Sequence, residues 1–377
     1  MKIGLVTWYK YENFGTVLQA FALQKSIQEL GHSCEIIPYD QIKQGKESKL
    51  TIEELGYKVK RKIKKILKIY EYKHIKSFEE EYNKRSLVFK EFVETQLCLS
   101  KALNFEEYEH KYDLFICGSD QIWSPAVFDC FYFLDFVKDK RKTIAYAPSI
   151  GRNNICSHYK ADYTRLINGI NYLSIREKRG AEVIKYLTGR DAKIVLDPTL
   201  LLDSSVWYGL IEKKVYMTPY ILCYVLGDIS SVYKFIKKIQ KKLKCKIVII
   251  ANKITDWRYK NDCITVVSPQ HFLSLFYHAS MVCTDSFHGI AFSINFQKQF
   301  FSFLRFKEKD EKSQNSRVIN ILDIFNLKSR LIHNTTELMN QMNTDINYSD
   351  VEQILKEKRA ASLRFLQNSI KGVQDIQ

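Results

Sequence analysis

The stretch Asp285-Ser286-Phe287-His288-Gly289 follows a strand-like run, Met281–Thr284, and precedes a helix-like run that begins at Ile290. A strand that hands over to a helix marks the end of a parallel sheet, where open α/β folds place their ligands. Free backbone N–H groups and the helix dipole attract an anion there. His288 can serve near neutral pH as acid, base or phosphate donor. Ser286 adds a hydroxyl, and Gly289 lets backbone approach a ligand closely. The plainer reading is a histidine that caps its own turn.

A second constellation is Gly118-Ser119-Asp120-Gln121-Ile122-Trp123, at the end of the buried-strand run Leu114–Cys117. A carboxylate beside an aromatic face suits a sugar, which carries hydroxyls on its rim and C–H bonds on its faces. Gly118, Ser119, Asp120 and Trp123 are therefore candidates for an acceptor side, with Asn13 and Gly15 of the turn after the first strand. That turn, Asn13-Phe14-Gly15, is shorter than a dinucleotide GxGxxG, and the chain has no Walker lysine pattern, which disfavours an NAD or P-loop site. Arg176 ends the run Tyr172–Ile175 and can hold a carboxylate or phosphate bidentately; a salt bridge to a neighbouring acid such as Glu177 is the alternative. Arg258 and Arg317 are lone basic residues in loop-like surroundings, each read as a surface residue, with a place facing the cleft as the alternative. The nine cysteines are scattered without a CxxC pair. This predicts reduced thiols, a cytoplasmic protein and no metal site.

The elements that must position these residues alternate between strand and helix. Lys2–Trp8 predicts a strand, Thr16–Leu30 a helix closed by Gly31, and residues 33–40 the next strand, a β-α-β unit of a parallel sheet. Further strands are expected within 112–120, 143–151, 171–178 and 192–199, and then within 220–228, 246–252, 281–284 and 299–304. Ser349-Asp350-Val351-Glu352 reads as the capped start of a last helix over about 350–371, ending at Gly372. The expected architecture is α/β, with two Rossmann-like doubly wound domains facing a cleft, the GT-B arrangement. The expected divisions are residues 1–205, which carry a helical basic insertion over about 50–97, residues 206–345, and a terminal helix and tail over 346–377.

The chain has 377 residues and a net charge of 58 − 42 = +16. Half of that excess lies in residues 57–76, where nine Lys/Arg stand against one Glu. Val59, Ile63, Ile66 and Tyr70 share one helical face there. Such a helix either docks on an anionic membrane or packs one stripe on its own domain. The net charge by itself does not read as that of a nucleic-acid domain. No basic-then-apolar leader precedes the first strand, and no apolar run approaches the roughly 18 residues of a membrane span.

An ordered set of segments resembles the polysaccharide pyruvyl transferase family: NFGTVLQAFALQ (13–24), FICGSDQIWSP (115–125), IAYAPSIG (144–151), LSIREKRGAEVIKYLTG (173–189), VLDPTLLL (195–202), SPQHFL (268–273) and CTDSFHGIAF (283–292). The resemblance implies a GT-B-like fold and phosphoenolpyruvate as a co-substrate, with no cofactor. It also implies transfer of pyruvate to two hydroxyls of one sugar as a ketal, in building capsule or cell-wall glycan. The implied acceptor is a glycan, often lipid-linked, at the cytoplasmic face of the membrane. The family's cleft histidine falls on His288 and its strand-end arginine on Arg176. Donor contacts are then expected from Arg176, Ser286, His288, Gly289 and Arg317, and catalysis from His288, Asp120 and Arg176. Some branches of the family carry a basic residue where this chain has Ser286, so Arg317 or Arg305 is the expected substitute. Two other readings stay open. One is a nucleotide-sugar glycosyltransferase of the same architecture, with Asp256 or Asp262 on the ribose. The other is a non-catalytic protein that binds polyanions or membrane.

Overall fold

In the computed structural model, residues 1–10, 12–38, 72–152, 154–212, 216, 218–307, 310 and 313–375 are described. The basic stretch 57–76 lies outside them as far as residue 71; its last residues open the helix α2, Tyr72–Gln96.

Two all-parallel sheets organise the chain. The first contains β1 (Lys2–Val6), β2 (Ser33–Ile36), β3 (Leu114–Cys117), β4 (Thr143–Ala145), β5 (Tyr172–Ile175) and β6 (Lys193–Ile194), in the order β2-β1-β3-β4-β5-β6. The second contains β7 (Tyr220–Tyr224), β8 (Lys246–Ile250), β9 (Cys263–Ile264), β10 (Met281–Thr284) and β11 (Phe300–Ser302), in the order β11-β10-β7-β8-β9. The central strands β3 and β7 are buried at every residue. This is why their sequences read as unbroken apolar runs, with helices covering both faces.

Both sheets change direction of winding once. In the first the switch falls between β1 and β3, and in the second between β7 and β10. Ligands of open α/β sheets bind beyond the strand ends at such points. The turns at 13–15, 118–120 and 285–289 occupy these places.

The first turn is built around α1, Phe14–Glu29, which Asn13 caps by accepting the Thr16 N–H at 3.3 Å. The helix therefore starts two residues earlier than its apolar spacing predicts. Phe14 then crosses to the second half of the chain: its ring stacks on Phe272 at 4.3 Å and meets Tyr224 at 6.0 Å. Arg85 of α2 lies over the same ring at 4.5 Å and donates to the Ala251 carbonyl at 2.9 Å. One buried apolar cluster runs from Ile3 through Phe14, Tyr224 and Phe272 to Val373, so the two sheets share a core.

The last helix, α5, spans Tyr348–Gln374. Its cap is Asn347, which accepts the Ser349 N–H at 3.2 Å, and not Ser349 itself. Gly372 does not end it. That glycine sits inside the helix because a Cβ there would lie 2.0 Å from the Tyr172 hydroxyl. The helix starts against the second half, where the Tyr348 hydroxyl bonds the Ser293 carbonyl at 3.2 Å. It returns to the first, where the Ser362 hydroxyl accepts the Leu196 N–H at 3.0 Å and Arg359 donates to the Leu200 carbonyl at 2.8 Å. Two Rossmann-like halves joined by a returning terminal helix make a GT-B-type fold.

Among the described residues no helix is long and apolar enough to cross a membrane. All nine cysteines are free thiols.

Candidate functional site

The site is assembled at the ends of β3, β5 and β6 on one side and of β10 on the other. Its centre is Asp197, which follows β6 and is 1% exposed. One carboxylate oxygen, Oδ1, accepts the Thr199 N–H at 3.0 Å and the Thr199 hydroxyl at 2.8 Å. The other, Oδ2, receives Arg176 Nη1 at 2.5 Å, and the Ser119 hydroxyl and His288 Nε2 lie 3.3 Å and 3.7 Å from it. Burial alone would push the Asp197 carboxyl up, but His288 and Arg176 outweigh it and hold it far below the usual carboxylate range. Asp197 was not among the residues singled out from the sequence. Its signal was there, in a VLDPT run that ends a strand beside the arginine's own.

Arg176 is buried with only one of its nitrogens in a hydrogen bond. Its guanidinium lies over the Phe287 ring, 4.5 Å from the centroid. Burial pushes its pKa down, but Asp197, Glu177 and Asp120 more than offset this, so it is fixed as a cation. The expected alternative partner, Glu177, is farther away, with its Oε2 3.9 Å from Arg176 Nε.

His288 is the second residue of α3, Phe287–Asn295, and is 7% exposed. Ser286 caps this helix, accepting the Gly289 N–H at 3.4 Å. The imidazole is seated by Gly15 from across the cleft, where a Cβ would fall 1.9 Å from His288 Nδ1. Gly15 is thus required by the histidine. Gly289 is required by Thr284, whose hydroxyl would lie 2.2 Å from a Cβ at that position.

Asp120 stands at a left-handed φ of 61° after a cis Gly118–Ser119 peptide. Its Oδ2 accepts the Thr16 hydroxyl at 2.6 Å, which ties the second turn to the first. Gly118, at φ 137°, is pressed against the Tyr146 carbonyl, which a Cβ would approach to 1.8 Å.

Arg317 is on the helix α4, Asn315–Ile324. Burial, and then the neighbouring Arg176, push its pKa down to about 10, which leaves it charged at neutral pH. Arg305 is occupied differently: Nε lies 3.3 Å from Asp285 Oδ2, and Asp285 also receives the Leu226 and Gly227 N–H groups at 2.7 Å each. Arg258 is exposed.

Several expected acceptor contacts are spoken for elsewhere. Trp123 is fully buried, stacked on Phe133 at 4.9 Å, with its N–H on the Tyr132 carbonyl at 2.9 Å. It is a core residue and offers no face to a sugar. Asn13 caps α1, and the Ser119 hydroxyl donates to the Ala147 carbonyl at 2.7 Å. Among the described residues no cluster of three or more His, Cys, Asp or Glu side chains could hold a metal.

Several polar atoms of the site have no hydrogen-bond partner, as do others elsewhere in the described residues. Arg176 Nε and Nη2, Glu177 Oε2, His288 Nε2 and Arg317 Nε are all buried with no hydrogen-bond partner among the described residues. Buried polar atoms are rarely left so. The arrangement can bind an anion, donate a proton and accept one.

Two parallel α/β sheets with a polar, charged site at their switch points define a GT-B-type protein. The chain belongs to the polysaccharide pyruvyl transferase family, whose model matches residues 13–305. No curated protein matches it in sequence. In three dimensions it is similar to the UDP-N-acetylglucosamine 2-epimerase from Rickettsia bellii, with a TM-score of 0.47 and 9% identity over 100% of this chain and 98% of that one. It is similar too to the UDP-GlcNAc 2-epimerase from Methanocaldococcus jannaschii, with a TM-score of 0.46 and 12% identity over 92% and 93% of the two chains. MurG from Acinetobacter baumannii aligns with a TM-score of 0.43 and 9% identity over 98% and 99%.

Proposed function

We propose that this protein transfers pyruvate from phosphoenolpyruvate to two hydroxyls of one glycan sugar, forming a ketal. The observation that carries the reading is the set of unpaired, buried donors at His288, Arg176 and Arg317, beside a carboxylate, Asp120, that reaches the same cleft. Phosphoenolpyruvate is an enol phosphate with a carboxylate. Arg176 Nη2 and Arg317 Nε are the donors for its anionic oxygens. His288 gives a proton to its methylene carbon, which leaves an oxocarbenium-like C2. A sugar hydroxyl attacks C2 while Asp120 takes its proton. A second hydroxyl then displaces phosphate and closes the ketal. Fixed charges around the developing cation are the larger contribution; acid–base catalysis adds about 10²–10⁴-fold.

The family supports a polysaccharide acceptor. We extend this to a capsule or cell-wall precursor that is lipid-linked at the cytoplasmic membrane face, approached through the basic stretch 57–76, with no cofactor or metal. A nucleotide-sugar glycosyltransferase would need a carboxylate free for a ribose. Asp256 is turned inward on the Asn252 and Lys253 N–H groups, at 2.9 Å each, and Asp262 faces the Tyr233 hydroxyl at 3.4 Å.

Calorimetry with phosphoenolpyruvate and with UDP-sugars tests the reading. Selective phosphoenolpyruvate binding, lost in His288→Ala, is expected. Selective UDP-sugar binding would replace the reading with glycosyl transfer.

A further inference from the structure

Glu177 is 3% exposed, and its two carboxylate oxygens have different surroundings. Oε1 is saturated: it accepts the Ser149 hydroxyl and the Ile150 N–H at 3.0 Å each, and the Gly151 N–H at 3.3 Å. Oε2 has no hydrogen-bond partner among the described residues. It faces Arg176 Nε, likewise unpartnered, across 3.9 Å, too far for a direct hydrogen bond.

An acceptor-only oxygen and a donor-only nitrogen thus flank the same point. An anion placed there would satisfy Nε but meet Oε2 as a like charge. A cation would satisfy Oε2 but meet the guanidinium. A hydroxyl satisfies both, accepting from Nε–H and donating to Oε2. Arg176 thereby presents two edges of different character. Nη2 has no carboxylate of its own and suits the anionic donor, whereas Nε shares its space with Glu177.

We propose that Glu177 Oε2 and Arg176 Nε form the subsite for one of the acceptor's two hydroxyls, and that Glu177 takes that hydroxyl's proton. The inference rests on the pyruvyl-transfer reading for its chemistry, because a ketal requires two deprotonated hydroxyls and Asp120 serves one. In the second step the O–H bond breaks and its proton passes to Oε2. The oxygen's electron pair forms the second bond to C2, and phosphate leaves with the electrons of the old C2–O bond. Of the two hydroxyl protons, one restores the proton that His288 gave to the methylene carbon and the other leaves with phosphate, so the cycle closes.

The deciding measurement is a crystal structure of the full chain with phosphoenolpyruvate and methyl galactoside, read beside phosphate release by the wild type and by Glu177→Gln. A neutral oxygen, from the galactoside or from water, is expected within hydrogen-bond distance of both Arg176 Nε and Glu177 Oε2, with the donor's anionic oxygens elsewhere. A carboxylate or phosphate oxygen on Nε, or closure of Arg176 and Glu177 into a direct pair, overturns the subsite. Glu177→Gln keeps an oxygen for the 149–151 turn but cannot take the proton. It is expected to lower phosphate release about 10²-fold while the phosphoenolpyruvate Kd moves less than about threefold; unchanged release overturns the proton role. Ser149→Ala loosens the same turn but leaves Oε2 in place, and is expected to lower phosphate release less than Glu177→Gln does. If the wild type neither binds phosphoenolpyruvate nor releases phosphate, pyruvyl transfer itself fails, and the oxygen between Nε and Oε2 still decides the hydroxyl subsite.

Discussion

His288 Nε2 lies 3.7 Å from Asp197 Oδ2, and the two residues come from opposite sheets. The histidine rises from the helix after β10, and the aspartate closes the end of β6. Arg176 holds the same oxygen at 2.5 Å. One buried carboxylate therefore binds Arg176 and faces His288 from across the cleft, and these are two of the residues that the proposed chemistry uses.

Replacing Asp197 by Asn is expected to destabilise the protein by about 3–5 kcal/mol, the usual cost of leaving one member of a buried pair uncompensated. The pH dependence has a definite sign. The folded carboxyl is held below its unfolded value, so its contribution is complete above about pH 4 and is lost as pH falls further, where the unfolded chain binds the extra proton. Urea unfolding should show the gap between wild type and Asp197→Asn narrowing below about pH 4. A gap that widened toward acid would show that the carboxylate is not the charged partner.

Gly15→Ala separates packing from chemistry. Within a helix this change ordinarily favours folding by about 1 kcal/mol. Here the new methyl would lie 1.9 Å from His288 Nδ1, and the imidazole must move. A displacement of about 1 Å at a reacting group can cost about 10²-fold in rate. The expected variant keeps its fold, judged by circular dichroism, and loses about 10²-fold in phosphate release from phosphoenolpyruvate. A fully active Gly15→Ala would remove His288 in its present position from the mechanism.

Much of this arrangement was legible in the sequence, for physical reasons that also mark where legibility stopped. Strands buried on both faces leave unbroken apolar runs, so β1, β3, β7 and β10 could be placed, and His288 and Arg176 follow from strand ends. The two-residue strands β6 and β9 carry too little pattern to fix their bounds. Residue type was a weaker guide than position. Trp123 looked like a sugar platform because indoles serve that purpose, yet the ring fills the space beneath Phe133. Gly372 looked like a helix stop, but the close approach of Tyr172 explains it. Glu177 was read only as a salt-bridge alternative for Arg176, and Asp197 was passed over because its VLDPT run marks a strand end without showing which partners the acid meets. Their meaning comes from partners 21 to 91 positions away, such as Arg176 and His288 for Asp197, or Ser149 for Glu177.

Trp123→Phe checks the reassignment of that residue. The change removes the indole N–H from the Tyr132 carbonyl and leaves a gap beside Phe133. The expected cost is about 1–3 kcal/mol of stability, read as a lower urea midpoint. Phosphoenolpyruvate affinity and acceptor KM should stay at wild-type values. A selective rise in acceptor KM without loss of stability would return Trp123 to the sugar site.

Arg317 and Arg305 are the two cations expected to stand in for the basic residue that some family branches carry at the Ser286 position. Arg305 spends its guanidinium on Asp285, through Nε to the carboxylate at 3.3 Å and Nη2 to the carbonyl at 3.4 Å. Arg317 has an unpartnered, buried Nε and is crowded by Arg176, a like charge. The charge of Arg176 disfavours the Arg317 cation, and a bound dianion would relieve this, so Arg317 gains more than Arg305 from a bound donor. Arg317→Ala is expected to weaken phosphoenolpyruvate binding at least about tenfold, equivalent to about 1.4 kcal/mol, and to leave the apo protein as stable as wild type or slightly more so. Arg305→Ala should weaken binding less than about threefold, and it should destabilise the protein by exposing Asp285 as an unbalanced charge. Calorimetry and urea unfolding on the two variants give the four numbers. The reverse pattern, with donor affinity lost at Arg305 and stability lost at Arg317, would make Arg305 the donor cation and reduce Arg317 to a structural residue.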